Sequence, residues 1–449
     1  MNLEKFRNKK ILILGFAREG MDNFIFFRKL FPQKILGVGD RTEFKKLGKE
    51  NQKLLKSDKK IELHFGKNYL KNLGNYDIIL KTPGIPFHFK ELEEIKKRGV
   101  IITSQTEIFP ENCPGKIIGV TGTKGKSTTA SLIYKILKEA ALDAYLVGNI
   151  GKPVLSLLLK AKKNDIYVYE LSSHQLFNVR KSPKIAVFLN VFPEHLDYYR
   201  NFKEYALAKG NITKFQTKKD YLVFNGKNET VKGIARKSKS QKIDFNSLKL
   251  EKIIKTNDVP LRGEFNLQNV RAAAIVGRIL GLSDRIIAKG IKKFKPLPYR
   301  LEFIGKHKGI DFYNDALATI PEATIAAMDA LGNDVQTIML GGFERNINFS
   351  KLARRVLKSK IKTVILFPTT GKKIWQEIKK DFEKTKNKNL PINFFTDNME
   401  KAVKIAYQNT EKKKICLLST ASSSFSIFKD YKEKGDLFKK YVRVYGKKT

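Results

Sequence analysis

The stretch that decides the fold is KIIGVTGTKGKSTTASLIYKIL, residues 116–137. An apolar run, KIIGVTG, leads into a glycine-rich turn. A segment with helical spacing follows from Lys126 to about Ala141. A phosphate chain needs several backbone N–H groups aimed at it, and glycines let the backbone approach closely. Gly122, Thr123, Lys124, Gly125, Lys126, Ser127 and Thr128 are therefore candidate phosphate contacts. Lys126 would supply a point charge, and the Ser127 hydroxyl a Mg2+ ligand. The strict spacing G-x-x-x-x-G-K-[ST] would put glycine at 120, where this chain has Val120; its glycines fall at 119, 122 and 125. The match is to a subclass, and the alternative is a strand–helix turn rich in glycine.

Working outward, short Ile/Val/Leu/Phe runs alternate with helical patterns along the whole chain, the mark of an α/β protein. Before the loop, strands are expected at 10–15, 34–40, 61–65, 76–80 and 100–103, with helices at 19–31 and 88–98. After it, strands are expected at 144–148, 165–171, 184–190 and 220–225. A hairpin follows at 301–315, then strands at 336–342, 363–368, 392–395 and 414–420. PENCPGK (110–116) and KFKPLPYR (293–300) read as hinges. The expected architecture is α/β with three domains: an N-terminal Rossmann-like domain (1–110), a central P-loop ATPase-like domain (111–296) and a C-terminal Rossmann-like domain with a mixed sheet (297–449). The segment 379–389 reads as a solvated helix end and loop.

At 449 residues, with 88 Lys+Arg against 44 Asp+Glu, the formal charge is +44. Such a balance suggests nucleic acid or an anionic membrane. The lysines, however, are spread over all three regions without a basic block. No stretch approaches the ~18 apolar residues of a membrane span. The run Ile11–Ala17 is followed by Arg18 and Glu19, so it reads as a first strand and not a signal peptide. Cys113 and Cys416 cannot form a disulfide framework, and a reducing cytoplasm is the default.

Three further residues carry candidate chemistry. Glu170 ends the apolar run DIYVYE, where a carboxylate is well placed for a cation; a surface strand-end Glu is the alternative. His195 follows the strand KIAVFLN, and Lys209 lies fourteen residues on in an expected helix. On local sequence alone each has an ordinary structural reading.

Taken in order, TGTKGKST (121–128), GNIG (148–151), ELSSHQL (170–176), LNVFPEHLDYY (189–199), the Lys209 segment, GEFNLQNVRAAA (263–274), LPYRLEF (297–303) and NDALATIPEAT (314–324) resemble the Mur ligases. These are ATP-dependent amide-forming ligases of peptidoglycan precursor synthesis. Within the family, the N-terminal unit, GGF-R (341–345) and SSSFSIFKDYKEKGDLF (422–438) are similar to the branch that adds D-glutamate to UDP-N-acetylmuramoyl-L-alanine through an acyl-phosphate.

The resemblance implies roles residue by residue. Gly122 to Thr128 would hold ATP, with Lys126, His195 and Lys209 catalytic. Ser127 and Glu170 would ligate one Mg2+, and His195 and Lys209 would serve a second, with a carbamate on Lys209. Asn266, Asn269, Arg300 and Asp315 match nucleotide contacts, and substrates held on three domains imply closure about the hinges. The UDP substrate would meet Gly15, Asp40, Arg41, Thr82, Pro83, Gly84 and Asn149. Asp40 also reads as a plain turn acid. Thr319, Arg345, Ser424 and Tyr431 are candidate contacts for the amino acid. The chain departs from the family pattern at Lys124 (usually Asn), Phe265 (His), Ala316 and Leu317 (where a Lys is frequent) and Arg345 (Lys). The expected partners are small molecules, acted on by a cytoplasmic monomer without nucleic acid or membrane. The rival readings are a sibling or folylpolyglutamate-type ligase using another amino acid, a basic P-loop ATPase binding nucleic acid, and a nicotinamide-dependent dehydrogenase. Ala17, where a dinucleotide fingerprint wants glycine, weakens the last.

Overall fold

A computed structural model describes residues 3–195, 198–385 and 389–447. Leu196 and Asp197, within the motif at 189–199, and residues 386–388, within the charge run at 379–389, lie outside the described residues. The chain divides into two compact units, one of residues 1–258 with 268–293, the other of 259–267 with 294 onward.

The first unit holds two parallel sheets. In one, β1 (Ile11–Leu14), β2 (Leu36–Asp40), β3 (Ile61–Phe65), β4 (Ile78–Lys81) and β5 (Ile101–Thr103) lie in the order β3-β2-β1-β4-β5. β1 and β4 are buried throughout, as parallel strands covered on both faces require. The chain runs from β1 outward to β3 and then returns to β4 on the other side. Loops after β1 and β4 therefore diverge and leave a crevice at the strands' C-terminal ends.

The other sheet contains β6 (Lys116–Thr121), β7 (Ala144–Gly148), β8 (Ile166–Glu170), β9 (Ile185–Phe188), β10 (Tyr221–Phe224) and β11 (Gln241–Asp244) in the order β11-β10-β9-β6-β8-β7. β6 sits centrally, so the turn after it is flanked by the ends of β8 and β9. The expected strands are present, and β11 is additional. Its sequence, QKID, is polar because it forms an outer edge, which hides it from an apolar-run reading.

One apolar cluster runs through both sheets of this unit. Phe109 is fully buried, its ring 5.0 Å from that of Tyr167 and 6.0 Å from that of Tyr169. It lies on the helix Gln105–Asn112, which corrects the expected hinge: Pro110 to Asn112 are helical, and only residues 113–115 connect to β6. Pro110 still accepts through its carbonyl, from Lys181 Nζ at 2.7 Å.

The second unit holds β12 (Glu302–His307), β13 (Ile310–Asn314), β14 (Val335–Gly341), β15 (Thr363–Phe367), β16 (Ile392–Phe395) and β17 (Ile415–Leu418), ordered β12-β13-β17-β14-β15-β16. β12 is antiparallel to β13, making the sheet mixed. The two-residue turn, Lys308 and Gly309, has positive φ at both positions (50° and 81°), the backbone twist a tight hairpin favours.

Candidate active site

The phosphate loop is held in shape by its neighbours. Gly125, at φ 86°, precedes the helix Lys126–Glu139. A Cβ there would meet Asn269 Oδ1 at 2.4 Å, so both the backbone and the space demand glycine. Asn190, just past β9, pins the loop from the other side. Its Oδ1 accepts from the Lys124 N–H at 2.8 Å, its Nδ2 donates to Lys124 O at 3.1 Å, and its carbonyl accepts from Thr123 N–H at 2.8 Å. Lys126 Nζ donates to Gly122 O (2.9 Å) and Thr123 O (3.0 Å), so its charge already lies along the loop.

Glu170, at the end of β8, is fully buried. Its Oε1 accepts from Ser127 Oγ at 3.2 Å and from Asn149 Nδ2 at 3.3 Å. Its Oε2 has no hydrogen-bond partner among the described residues. A buried carboxylate oxygen without a donor is costly unless a cation meets it. The pair Glu170 and Ser127, both oxygen donors, fits Mg2+.

Lys209 lies on the helix Phe202–Lys214 and is 2% exposed. Its Nζ donates to Gly122 O at 2.9 Å. Burial, with Lys126 and Lys124 nearby, holds the amine well below the ordinary lysine range, against the pull of Glu194 and Glu170. Glu194 pairs with Lys124 at 2.8 Å. Burial alone would raise that carboxyl, but Lys124, together with His195 and Lys126, outweighs it and holds it low. His195 has φ 57°, and its ring lies 4.9 Å from that of His174 and 6.2 Å from that of Tyr205. Among the described residues no three His, Cys, Asp or Glu side chains gather as a ready metal set.

A cleft of about 390 Å³ opens at the crevice after β1 and β4. Gly15, Asp40, Arg41, Thr82, Pro83, Gly84 and Asn149 all line it. Gly15, at φ 93°, lies against Thr82, whose Oγ1 would be 2.0 Å from an added Cβ. Asp40 accepts from Phe16 N–H (2.6 Å) and Thr42 N–H (2.7 Å), so its carboxylate first shapes the loop.

Sequence reasoning missed several residues of this cleft. Arg18 donates to three carbonyls of the turn after β7, Gly148 (2.8 Å), Asn149 (3.1 Å) and Gly151 (3.2 Å), joining the cleft's two walls. Glu19 accepts from Gln175 Nε2 at 2.7 Å, and burial pushes its carboxyl up to about 7 despite that bond. Ser172 and Gln175, both on the lining, form a capping box. The S-x-x-Q spacing was readable, but its position on a wall was not. Behind the lining, Lys81 is buried and donates to the carbonyls of Thr82 and Ile85. Burial lowers its amine to about 7, opposed by Glu19 and Glu107.

In the second unit, Asp315 follows β13. It accepts from Leu301 N–H (3.0 Å) and Ser419 Oγ (2.9 Å), and burial raises its carboxyl to about 7 against these bonds and Arg300. Asn266 Nδ2 donates to Arg262 O at 2.8 Å. Ser424 is 4% exposed, and its Oγ has no partner among the described residues. Tyr431 packs edge-on to Tyr299 at 5.7 Å. Thr319 is half-buried beside Asp315's loop, whereas Arg345 is exposed.

Comparison with known proteins agrees with this layout. Residues 120–277 match the model of the Mur ligase middle domain, and residues 299–422 that of the Mur ligase, glutamate ligase domain. The UDP-N-acetylmuramoylalanine--D-glutamate ligase of Acetivibrio thermocellus is 33% identical over 461 residues, spanning 98% of this chain and 97% of that protein. The enzyme of the same name from Clostridium tetani is 32% identical over 454 residues, with 97% of each covered. Among solved structures, the UDP-N-acetylmuramate-alanine ligase of Thermotoga maritima aligns with a TM-score of 0.58 at 15% identity, over 98% of this chain and 99% of that one. The MurF ligase of the same organism, in complex with ADP, aligns at 0.58 and 16% identity over 98% and 97%. These two share the fold. With relatives a third identical along nearly its whole length, and with both family models matched in register with the phosphate loop and the third sheet, the chain belongs to the Mur ligase family.

Proposed function

We propose that the chain is an ATP-dependent ligase that joins D-glutamate to the L-alanyl carboxylate of UDP-N-acetylmuramoyl-L-alanine, a step of peptidoglycan precursor synthesis. One observation carries the reading. Asn149 on the cleft wall and Ser127 on the phosphate loop both donate to Glu170 Oε1. A carboxylate substrate lying in the cleft thus has its reacting end directed to where a γ-phosphate would be held.

The reaction balances in two steps. A carboxylate oxygen attacks the γ-phosphorus, the bond to the β-phosphate oxygen breaks, and ADP leaves an acyl-phosphate. The amine of D-glutamate then attacks the acyl carbon, loses a proton, and inorganic phosphate departs. Gly122 to Thr128 hold the phosphates through backbone N–H groups, and Lys126 offsets their charge. Mg2+, when bound, would offset the negative charge that the phosphate oxygens present to the incoming carboxylate. Ser127 and Glu170 are its proposed ligands, with His195 and Lys209 for a second ion. Burial holds the Lys209 amine well below the ordinary lysine range, which favours the neutral form that reacts with CO2. Lys209 Nζ would bond to the carbon of CO2 and lose a proton, turning a neutral amine into an anionic oxygen donor.

Asn266, Asn269, Arg300 and Asp315 are proposed for ATP, and Thr319, Arg345, Ser424 and Tyr431 for the amino acid. All these residues lie on one chain, so the reading needs no second subunit, and a monomer in the cytoplasm is proposed. No helix among the described residues is long and apolar enough to cross a membrane. Size-exclusion chromatography tests the assembly.

The deciding assay uses purified protein with ATP, Mg2+, UDP-N-acetylmuramoyl-L-alanine and D-glutamate. Phosphate release should need both co-substrates, and release that ignores them would overturn the reading. Because Leu317 and Arg345 depart from the family pattern, an amino-acid panel in the same assay separates D-glutamate from other acceptors. Stimulation by DNA or RNA would favour the nucleic-acid ATPase instead.

A further inference from the structure

In the second unit a buried lysine meets a buried threonine hydroxyl. Lys434 is on the first turn of the helix Tyr431–Lys447, three residues after Tyr431 and so on the same face. It is 1% exposed, and its Nζ donates to Thr420 Oγ1 at 2.6 Å. The Thr420 hydroxyl in turn faces Ser422 O at 3.0 Å and Ala318 O at 3.4 Å. Thr420 O accepts from Gly341 N–H at 2.9 Å, and Ser423 O accepts from Phe343 N–H at 2.8 Å. Thr420 is therefore the point where three segments meet: 315–319, 341–345 and 419–424. They carry Thr319, Arg345 and Ser424. Beside them the hydroxyls of Ser423 and Ser424 are buried and have no partner among the described residues. Such groups are costly unless something meets them.

We infer that Lys434 is a positioning residue for the amino-acid subsite: through Thr420 it fixes the three segments that hold the incoming dicarboxylate and so sets where the Ser423 and Ser424 hydroxyls lie. The inference rests on the D-glutamate reading above and deepens it. The Ser423 and Ser424 hydroxyls can each donate one hydrogen bond to a carboxylate, provided their segment is held in place. The Lys434–Thr420 bond supplies that hold. Burial lowers the Lys434 amine to about 7, opposed by Asp315, so its hold on Thr420 is a hydrogen bond and not a fixed full charge.

The test compares wild type, Lys434→Met, Lys434→Arg, Thr420→Val and Thr420→Ser in steady-state assays varying one substrate at a time. Lys434→Met should raise KM for D-glutamate on the order of 10-fold while KM for ATP stays within about twofold. Lys434→Arg, which keeps a donor for Thr420, should recover most of the loss. Thr420→Val should follow Lys434→Met, and Thr420→Ser should follow wild type. If Lys434→Met does not fold, the two Thr420 variants decide the matter alone. An unchanged KM for glutamate, or an equal rise for ATP, overturns the inference. A wild type without glutamate-dependent phosphate release overturns instead the reading on which it rests.

Discussion

Ser127 Oγ and Asn149 Nδ2 approach the same oxygen of Glu170, at 3.2 and 3.3 Å, and the other oxygen of that buried carboxylate has no donor among the described residues. Glu170→Gln should therefore separate stability from activity. Removing a buried, half-satisfied charge should stabilise the metal-free protein by about 1–2 kcal/mol. The Mg2+ concentration for half-maximal activity should rise on the order of 10-fold or more. Thermal unfolding with and without Mg2+, beside a Mg2+ titration of activity, checks both.

Lys81 should write a pH signature into stability. Its amine is lowered from 10.5 to about 7 in the folded chain, so the unfolded chain binds more protons between those values. Stability from this group therefore rises with pH across the window from 7 to 10.5. In Lys81→Met that rise is absent. The difference in unfolding free energy, wild type minus variant, should grow in favour of wild type by on the order of 1 kcal/mol per pH unit. Urea unfolding of both proteins at several pH values measures it, and a difference flat with pH would count against the buried amine.

Gly15 cannot be replaced cheaply. Gly15→Ala strains a backbone at φ 93° and sets a methyl 2.0 Å from Thr82 Oγ1. We expect it to raise KM for the UDP substrate on the order of 10-fold and to cost about 2 kcal/mol of stability. Gly15→Ala with Thr82→Ala removes the collision and keeps the φ strain, so it should recover part of the stability. Full recovery would show that the backbone conformation is immaterial.

Arg18 donates to three carbonyls with one planar fork, a geometry a lysine ammonium does not reproduce. Arg18→Lys should raise KM for the UDP substrate about 3- to 10-fold while leaving kcat within about twofold, because the cleft loosens and the phosphate loop does not. A fall in kcat with KM unchanged would place Arg18 in the chemistry instead.

The strands were legible where burial on both faces wrote continuous apolar runs, as at Ile11–Leu14 and Ile166–Glu170. The edge strand Gln241–Asp244 was not, because one side of it faces solvent and its composition is polar. The phosphate loop was readable because its glycines and hydroxyls have a local reason. Asn190, Glu194, Arg18 and Gln175 were not singled out. Each works on a partner at least 66 residues away in the chain, and spacing along the sequence carries no trace of such pairs. Pro110 misled in the other direction: proline and glycine nearby suggested a hinge, whereas Phe109 anchors the segment in a helix.

That anchoring bears on how such a chain can be rearranged. Phe109 closes the first sheet's last helix over Tyr167 and Tyr169 of the second sheet, within a single apolar cluster. A fragment cut at residue 110 would carry those surfaces bare into water, at a cost of roughly 2–3 kcal/mol for each large side chain uncovered. The cleft after the first sheet and the glycine-rich loop of the second are thus welded together as one inheritable block. A graft that exchanges the first sheet must bring the matching face of its neighbour.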